Sequence, residues 1–355
     1  MSLFAPLTLR GVALRNRIVV SPMCQYSSTD GFATDWHLVH LGQFASGGAS
    51  MVLTEATAVT ADGRISPQDL GIWDDAHVEM LARIGRFVKS QGAVFGMQLA
   101  HAGRKASTGR PWEGGGPVGV DAGGWTHLAA PSALPFAEKY QTPDALDTRG
   151  IARIVSAFRE AAARALAAGM DVLELHAAHG YLLHQFLSPL SNVRTDSYGG
   201  SFENRIRLTL EVAASVREVW PERLPLLVRL SVTDWRDDGW TVDESIALAR
   251  RLGESGVDAV DCSSGGIVPH VQIPTGPGYH VGFAERIRRE SGVRTAVVGF
   301  ITGVAQADTI VRSGQADLVV MARELLRHPH WPLDAARELG QEVRWPPQYL
   351  RAKPR

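Results

Sequence analysis

The chain has 355 residues, 45% of them hydrophobic, and a formal net charge of −1. It can build a large core, and it lacks the basic surplus of a typical nucleic-acid binder. No apolar run approaches the ~20 residues of a membrane-spanning helix, and the two cysteines, Cys24 and Cys262, form no C-x-x-C pair, which excludes a cysteine-ligated cluster or structural zinc.

The start, MSLFAPLTLRG, has no basic segment followed by an apolar one, so no signal peptide is expected; with so few cysteines this suits a reducing cytoplasm. Residues 7–14 alternate around Arg10-Gly11 and predict a hairpin. Residues 17–21 (RIVVS) form the first buried strand, followed at once by Pro22-Met23-Cys24-Gln25-Tyr26. Residues 36–46 have helical spacing, 50–59 read as a second strand, 74–91 as an amphipathic helix and 94–99 as a third strand. A long insert, 101–147, is rich in Gly, Pro and Trp. It is too long for an ordinary connector and is expected to be a lid or an edge hairpin. Residues 149–168 form an Ala/Arg-rich helix ending at Gly169. The fourth strand, 172–175, runs into His176, His179, Tyr181 and His184.

From there, helices are expected at 199–219, 242–255, 283–291 and 304–313. Strands alternate with them at 225–231, 259–263, 295–298 and 317–321, and a last helix starts at 322. Eight apolar strands, each followed by a helical segment, predict an α/β fold, a (β/α)8 TIM barrel with an N-terminal β-hairpin and a long insert after strand 3, as one domain over 1–355. A doubly wound sheet would want a phosphate-binding fingerprint after the first strand, and Ser21-Pro22-Met23 is not one.

In such a barrel the functional face is the C-terminal end of the strands. The strand ends offer Cys24 and Tyr26, then Glu55 and Ala56, then Gln98 and His101, then His176, His179 and Tyr181. Gly265-Gly266, Gly299 and Gly303 let backbone N–H groups approach a ligand, two of them opening helices, and Arg323 adds a fork suited to phosphate. Arg229 lies inside the apolar run PLLVRLS. It either pairs with a carboxylate such as Asp234 or Glu55 or faces an electron-rich ring. Gln98 suits a heterocycle with donor and acceptor edges. Cys24 reads equally as a nucleophile, a thiol adjusting a cofactor ring, or an inert buried thiol. His176 and His179 allow a zinc site without a compelling third ligand, a pair of packed core histidines, or two donors to one substrate oxygen with Tyr181 as proton donor. His184 sits in LLHQFLSP, a packed connector with no assigned role.

Three stretches are specific enough to compare: SPMCQYS at 21–27, HAAHGYLLHQFLSPLSNVRTDSYGGSFENRIR at 176–207 and MARELLRHP at 321–329. Through them the chain resembles the old yellow enzyme family of FMN-dependent ene-reductases, in particular the bacterial thermophilic-like subclass that includes xenobiotic reductases. The resemblance implies noncovalent FMN lined by Ser21, Pro22, Met23, Cys24, Ala56, Gln98 and Arg229, with the phosphate near Gly299, Ala322 and Arg323. It implies NADPH or NADH as hydride donor and activated alkenes as substrates: hydride passes from reduced FMN to the β-carbon and Tyr181 protonates the α-carbon. His176 and His179 would bind the substrate oxygen, and Tyr26 would contact the substrate. WPPQYLR at 345–351 implies that Arg351 reaches a neighbouring subunit's site, so residues 340–355 are expected at an interface of a homodimer or homotetramer. No metal, nucleic acid or membrane is implied. The competing readings are a metal-dependent TIM-barrel hydrolase using His176 and His179, and a non-catalytic flavin-binding scaffold.

Overall fold

A computed structural model describes residues 2–354. Eight parallel strands close into a barrel: β3 (Ile18–Val20), β4 (Met51–Ala58), β5 (Val94–Ala100), β8 (Val172–Ala177), β9 (Leu226–Ser231), β10 (Ala259–Ser263), β11 (Arg294–Val297) and β12 (Leu318–Met321), with β12 pairing back onto β3. The remaining strands are β1 (Leu7–Leu9) with β2 (Val12–Leu14), and β6 (Ala129–Ala130) with β7 (Asp144–Ala145). Barrel strands are covered on both faces, which is why they read as unbroken apolar runs rather than alternating ones. All six residues of β9 are buried, Arg229 included.

The outer layer comprises α1 (Asp35–Ser46), α2 (Val78–Ser90), α3 (Thr148–Ala167), α6 (Arg207–Val219), α7 (Val242–Glu254), α8 (Val281–Ser291) and α9 (Val304–Arg312). Helix α3 shows why these segments are helical. Asp147 caps its start by accepting from the Gly150 N–H at 2.6 Å. Ile151, Ile154, Phe158, Ala161, Ala162 and Ala165 form its buried stripe, and Gly169 at φ +79° follows its end. The β1–β2 hairpin docks at the N-terminal end of the barrel, where Gly11 N–H donates to Arg223 O at 2.8 Å and Arg10 pairs with Asp258 at 2.6 Å. The opposite end is left open for chemistry.

Four details differ from expectation. The helix expected from residue 199 begins only at 202, because Gly200 is left-handed at φ +79° and Ser201 caps the Asn204 N–H; it is then interrupted at Ile206, giving α5 (Phe202–Arg205) and α6. Residues 182–187, read as a connector, form helix α4 (Leu182–Leu187). The helix after β12 ends as α10 (Arg323–Arg327), since Pro329 disfavours helical backbone before it, and α11 (Trp331–Glu338) starts afresh. In place of a regular edge hairpin the 101–147 insert holds a short antiparallel pairing, Thr108 opposite Pro117 with Gly109 N–H donating to Gly116 O and Val118 N–H to Ser107 O, each at 2.8 Å; its β6–β7 ladder is two residues long and parallel, and three single 3₁₀ turns punctuate the irregular remainder.

Candidate active site

Strand register assembles the centre of the barrel mouth. Gln98 pairs with Glu174 and also with Ala56, while Arg229 is flanked by His176 on one neighbouring strand and Asp261 on the other. A bulge in β4 between Leu53 and Ala56 produces this arrangement. It brings Ala56 level with Gln98. Glu55, by contrast, accepts from Gln25 N–H at 2.8 Å and pairs with His37 at 3.0 Å. The Arg229 guanidinium donates to Ser21 Oγ at 3.0 Å and its Nε lies 3.4 Å from Asp261 Oδ2. Its partner is therefore neither Asp234 nor Glu55. Asp261 lies directly across the ladder, whereas Asp234 pairs with His184 and Glu55 with His37. Sequence reasoning missed Asp261, although the run AVDCS carries the same signal as PLLVRLS, a charge inside an apolar strand.

Gln98 Nε2 donates to Glu174 Oε1 at 2.7 Å. The charge of Arg229 acts on two buried carboxylates, Glu174 and Asp261, and burial outweighs it at each. Burial, then the charge on Asp261, raise Glu174 from 4.5 to about 8, against the pull of Arg229 and Gln98. Burial raises Asp261 as well, with Arg229 opposing. Between pH 4.5 and 8 the folded chain keeps a proton that the unfolded chain has released. The stability owed to neutral Glu174 is complete below the lower value and is lost as pH rises through the upper one. Glu174→Gln should flatten this decline, so that in urea titrations the variant gains on the parent as pH rises; parallel pH profiles would contradict the shift.

At the end of β8, His176 and His179 lie ring against ring, Nε2 to Nδ1 at 3.3 Å. Ala178 N–H donates to His176 Nδ1 at 3.3 Å, so His176 carries its proton on Nε2 and donates to His179; His179 then donates to Ser263 Oγ at 2.7 Å. Burial, then the charge of Arg229, hold both rings well below their ordinary value, so both are neutral. No group of three or more His, Cys, Asp or Glu side chains among the described residues is placed to hold a metal ion. Tyr181 stands edge-on to His176 with centroids 5.0 Å apart. Burial, then Cys24 and Tyr26, push it well above its ordinary value, so it keeps its proton.

Cys24 and Tyr181 pack against the same small apolar cluster, which includes Ala56, Ala100 and Leu128. Burial and the carboxylates of Asp69 and Glu55 raise Cys24. That favours the thiol over the thiolate and weighs against the nucleophile reading. Pro22 and Met23 are partly buried beside it, and Tyr26 is left-handed at φ +50°, edge-on to Trp112 of the insert at 5.7 Å. The insert also brings in Lys105, which no motif or spacing singles out. Its Nζ lies 5.2 Å from the Tyr181 ring centroid, and burial, then Arg104, lower it to about 8.

A cavity of about 200 Å³ opens at the ends of β9 to β12, lined by Arg229, Ser263, Tyr279, Gly299, Ala322 and Arg323 among others. Gly299 sits at φ +136°, and a Cβ there would meet His280 Nδ1 at 3.0 Å and the Tyr279 ring at 3.1 Å. Arg323 lies over Phe300 at 4.6 Å. Gly303 caps α9 as expected. Gly265-Gly266 open no helix; a Cβ on Gly266 would strike the His179 backbone at 2.7 Å, so this loop backs the histidine turn instead of a phosphate. The residues fit FMN. Arg229 Nε and Glu174 Oε2 are buried without hydrogen-bond partners, and a cation, an amide and a thiol line one side of the mouth with a glycine-walled cationic cavity beyond. Arg351 is exposed in a short turn at 347–352, far along the chain from these groups.

Residues 2–342 match the model of the NADH:flavin oxidoreductase / NADH oxidase family. The chain is 49% identical over 351 residues to the NADPH dehydrogenase of Geobacillus sp. (strain WCH70), covering 98% of each. Among solved structures, morphinone reductase aligns at a TM-score of 0.80 and 28% identity, over 98% of this chain and 92% of that one. The old yellow enzyme homologue from Zymomonas mobilis shares the fold at a TM-score of 0.80 and 24% identity, over the whole of both chains.

Proposed function

Because the chain belongs to the NADH:flavin oxidoreductase / NADH oxidase family, that of the old yellow enzymes, we propose that it reduces activated carbon–carbon double bonds. It is an FMN-dependent NAD(P)H oxidoreductase; the substrates we assign are α,β-unsaturated ketones and aldehydes, maleimides and nitroalkenes. The observation that carries this reading is the meeting of His176, His179 and Tyr181 ring against ring at one barrel mouth, where burial favours neutral histidines and a protonated tyrosine.

FMN, when bound, would supply the hydride chemistry that links the nicotinamide to the substrate. In this reading Ser21 to Cys24, Ala56, Gln98 and Arg229 hold the ring system, and Gly299, Ala322 and Arg323 hold the phosphate. A carbonyl or nitro oxygen takes over the N–H that His176 otherwise directs at His179 and the one that His179 directs at Ser263. Those donors stabilise the negative charge that develops on the oxygen. Tyr181 gives its proton to the α-carbon and recovers one from solvent. Its high proton affinity means that only a strongly basic carbon can take that proton. Tyr26 borders the substrate from strand one, with the insert packed on it.

Exposed Tyr349 and Leu350 support self-association through the tail, with Arg351 entering a neighbouring site. Among the described residues no helix is long and apolar enough to cross a membrane, and we assign the enzyme to the cytoplasm.

The purified protein is expected to be yellow, to bleach with NADPH in the absence of air, and to recover its colour with maleimide or 2-cyclohexenone. A colourless preparation that FMN cannot restore would remove the flavin site. Bleaching without recovery by any activated alkene would favour the scaffold reading.

A further inference from the structure

The turn that carries the substrate-binding and proton-donating groups is conformationally costly. His179 and Gly180 are both left-handed, at φ +58° and +74°, and a Cβ on Gly180 would lie 2.0 Å from Gly266 O. No helix or ladder hydrogen bond holds this backbone. All four backbone polar groups of this dipeptide are instead taken by side chains. His179 N–H donates to Ser231 Oγ at 2.9 Å, and its carbonyl accepts from Lys105 Nζ at 2.8 Å. Gly180 C=O accepts from Gln185 Nε2 at 2.7 Å, and Gly180 N–H donates to His184 Nδ1 at 2.9 Å.

His184 differs from the other three because its own state is fixed. The ring is fully buried, and its Nε2 lies 2.9 Å from Asp234 Oδ1. The other Asp234 oxygen accepts from Ser188 Oγ at 2.6 Å and from Trp240 N–H at 2.8 Å. Gly180 can only donate, so Nδ1 must be the bare nitrogen and Nε2 must carry the proton to Asp234. The carboxylate selects the tautomer, and the tautomer holds the turn.

We propose that His184, set by Asp234, is a positioning residue of the active site: its bare Nδ1 locks the His179–Gly180 turn so that the His179 ring and the Tyr181 hydroxyl face the same substrate. The inference rests on the reading of Tyr181 as the proton donor, and it deepens that reading by saying what aims the donor.

Two substitutions separate the two bonds of the ring. His184→Asn places an amide oxygen near the Nδ1 position, keeping an acceptor for Gly180 but not reaching Asp234. His184→Gln reaches Asp234 and leaves Gly180 without an acceptor. In the FMN-loaded protein, deuterium uptake of the 177–183 segment should quicken on the order of tenfold in the Gln variant, as loss of a buried hydrogen bond implies. Its kcat with 2-cyclohexenone should fall about ten- to a hundredfold, while KM and the rate of flavin reduction by NADPH move less than about threefold. The Asn variant should recover most of both losses. Equal losses in Gln and Asn would reduce His184 to packing and overturn the proposal, as would unchanged exchange in the Gln variant. If the Gln variant does not fold, Asp234→Asn asks the same question, since an amide can impose the wrong tautomer; normal exchange at 177–183 there overturns the proposal. Tyr181→Phe is measured in parallel. If it keeps full alkene turnover while the Gln variant exchanges fast, the proton-donor reading falls and the turn lock stands.

Discussion

Tyr181→Phe is expected to slow turnover of 2-cyclohexenone by about 10²–10⁴-fold, the usual worth of a positioned general acid. Reduction of the bound flavin by NADPH should change by no more than about twofold, because that step needs no proton at carbon. The substitution removes one oxygen and leaves the ring, its edge-on contact with His176 and the cation over its face intact. Rapid-mixing measurement of the two halves separates them. Equal slowing of both would show that the residue shapes the mouth without supplying the proton. The expected contrast is sharp because Tyr181, kept well above its ordinary pKa by burial and by Cys24 and Tyr26, is protonated at any working pH. No pH change can therefore substitute for the missing hydroxyl.

Arg229→Leu is expected to destabilise the protein by about 3–5 kcal/mol and to empty it of FMN, since it strips the cation from a fully buried carboxylate. Asp261 is 0% exposed, and its carboxylate oxygens find no hydrogen-bond donor; the guanidinium 3.4 Å away on the adjacent strand is the compensation available to it. Leucine matches the apolar neighbours but leaves that charge uncompensated. The double variant Arg229→Leu/Asp261→Leu should regain most of the stability without regaining FMN. Denaturant midpoints and bound-flavin absorbance read the two effects independently. A single variant as stable as the parent would mean that Asp261 is neutral and that the ion pair carries little.

The parts of the molecule behind these two results are unequally legible in the sequence. The barrel is legible because strands buried on both faces leave unbroken apolar runs, and because caps such as Asp147 and Thr241 mark helix starts locally. His176, His179 and Tyr181 are legible because polar rings directly after such a run must lie at the open end. Asp261 is visible by the same rule that singles out Arg229. The choice of partner is not, because it depends on which strand lies alongside and in what register. The bulge in β4, which turns Glu55 to the loop at Gln25 and His37, leaves no mark at that position.

By itself the sequence determined the alternation of eight strands and helices, the strand ends where chemistry would collect, and, through three motifs, the family. Those are properties of short windows: periodicity, caps and local spacing. Only the tertiary structure decided what each polar group faces. It gave Arg229 to Asp261, held Cys24 as a thiol by burying it with carboxylates nearby, and turned His184 from a connector residue into the acceptor that holds the His179–Gly180 turn. The first two depend on groups contributed by segments tens of residues apart, and the third on Asp234, fifty residues further along the chain. Burial then sets their charge, and neither partner nor burial can be read from a window of neighbouring residues.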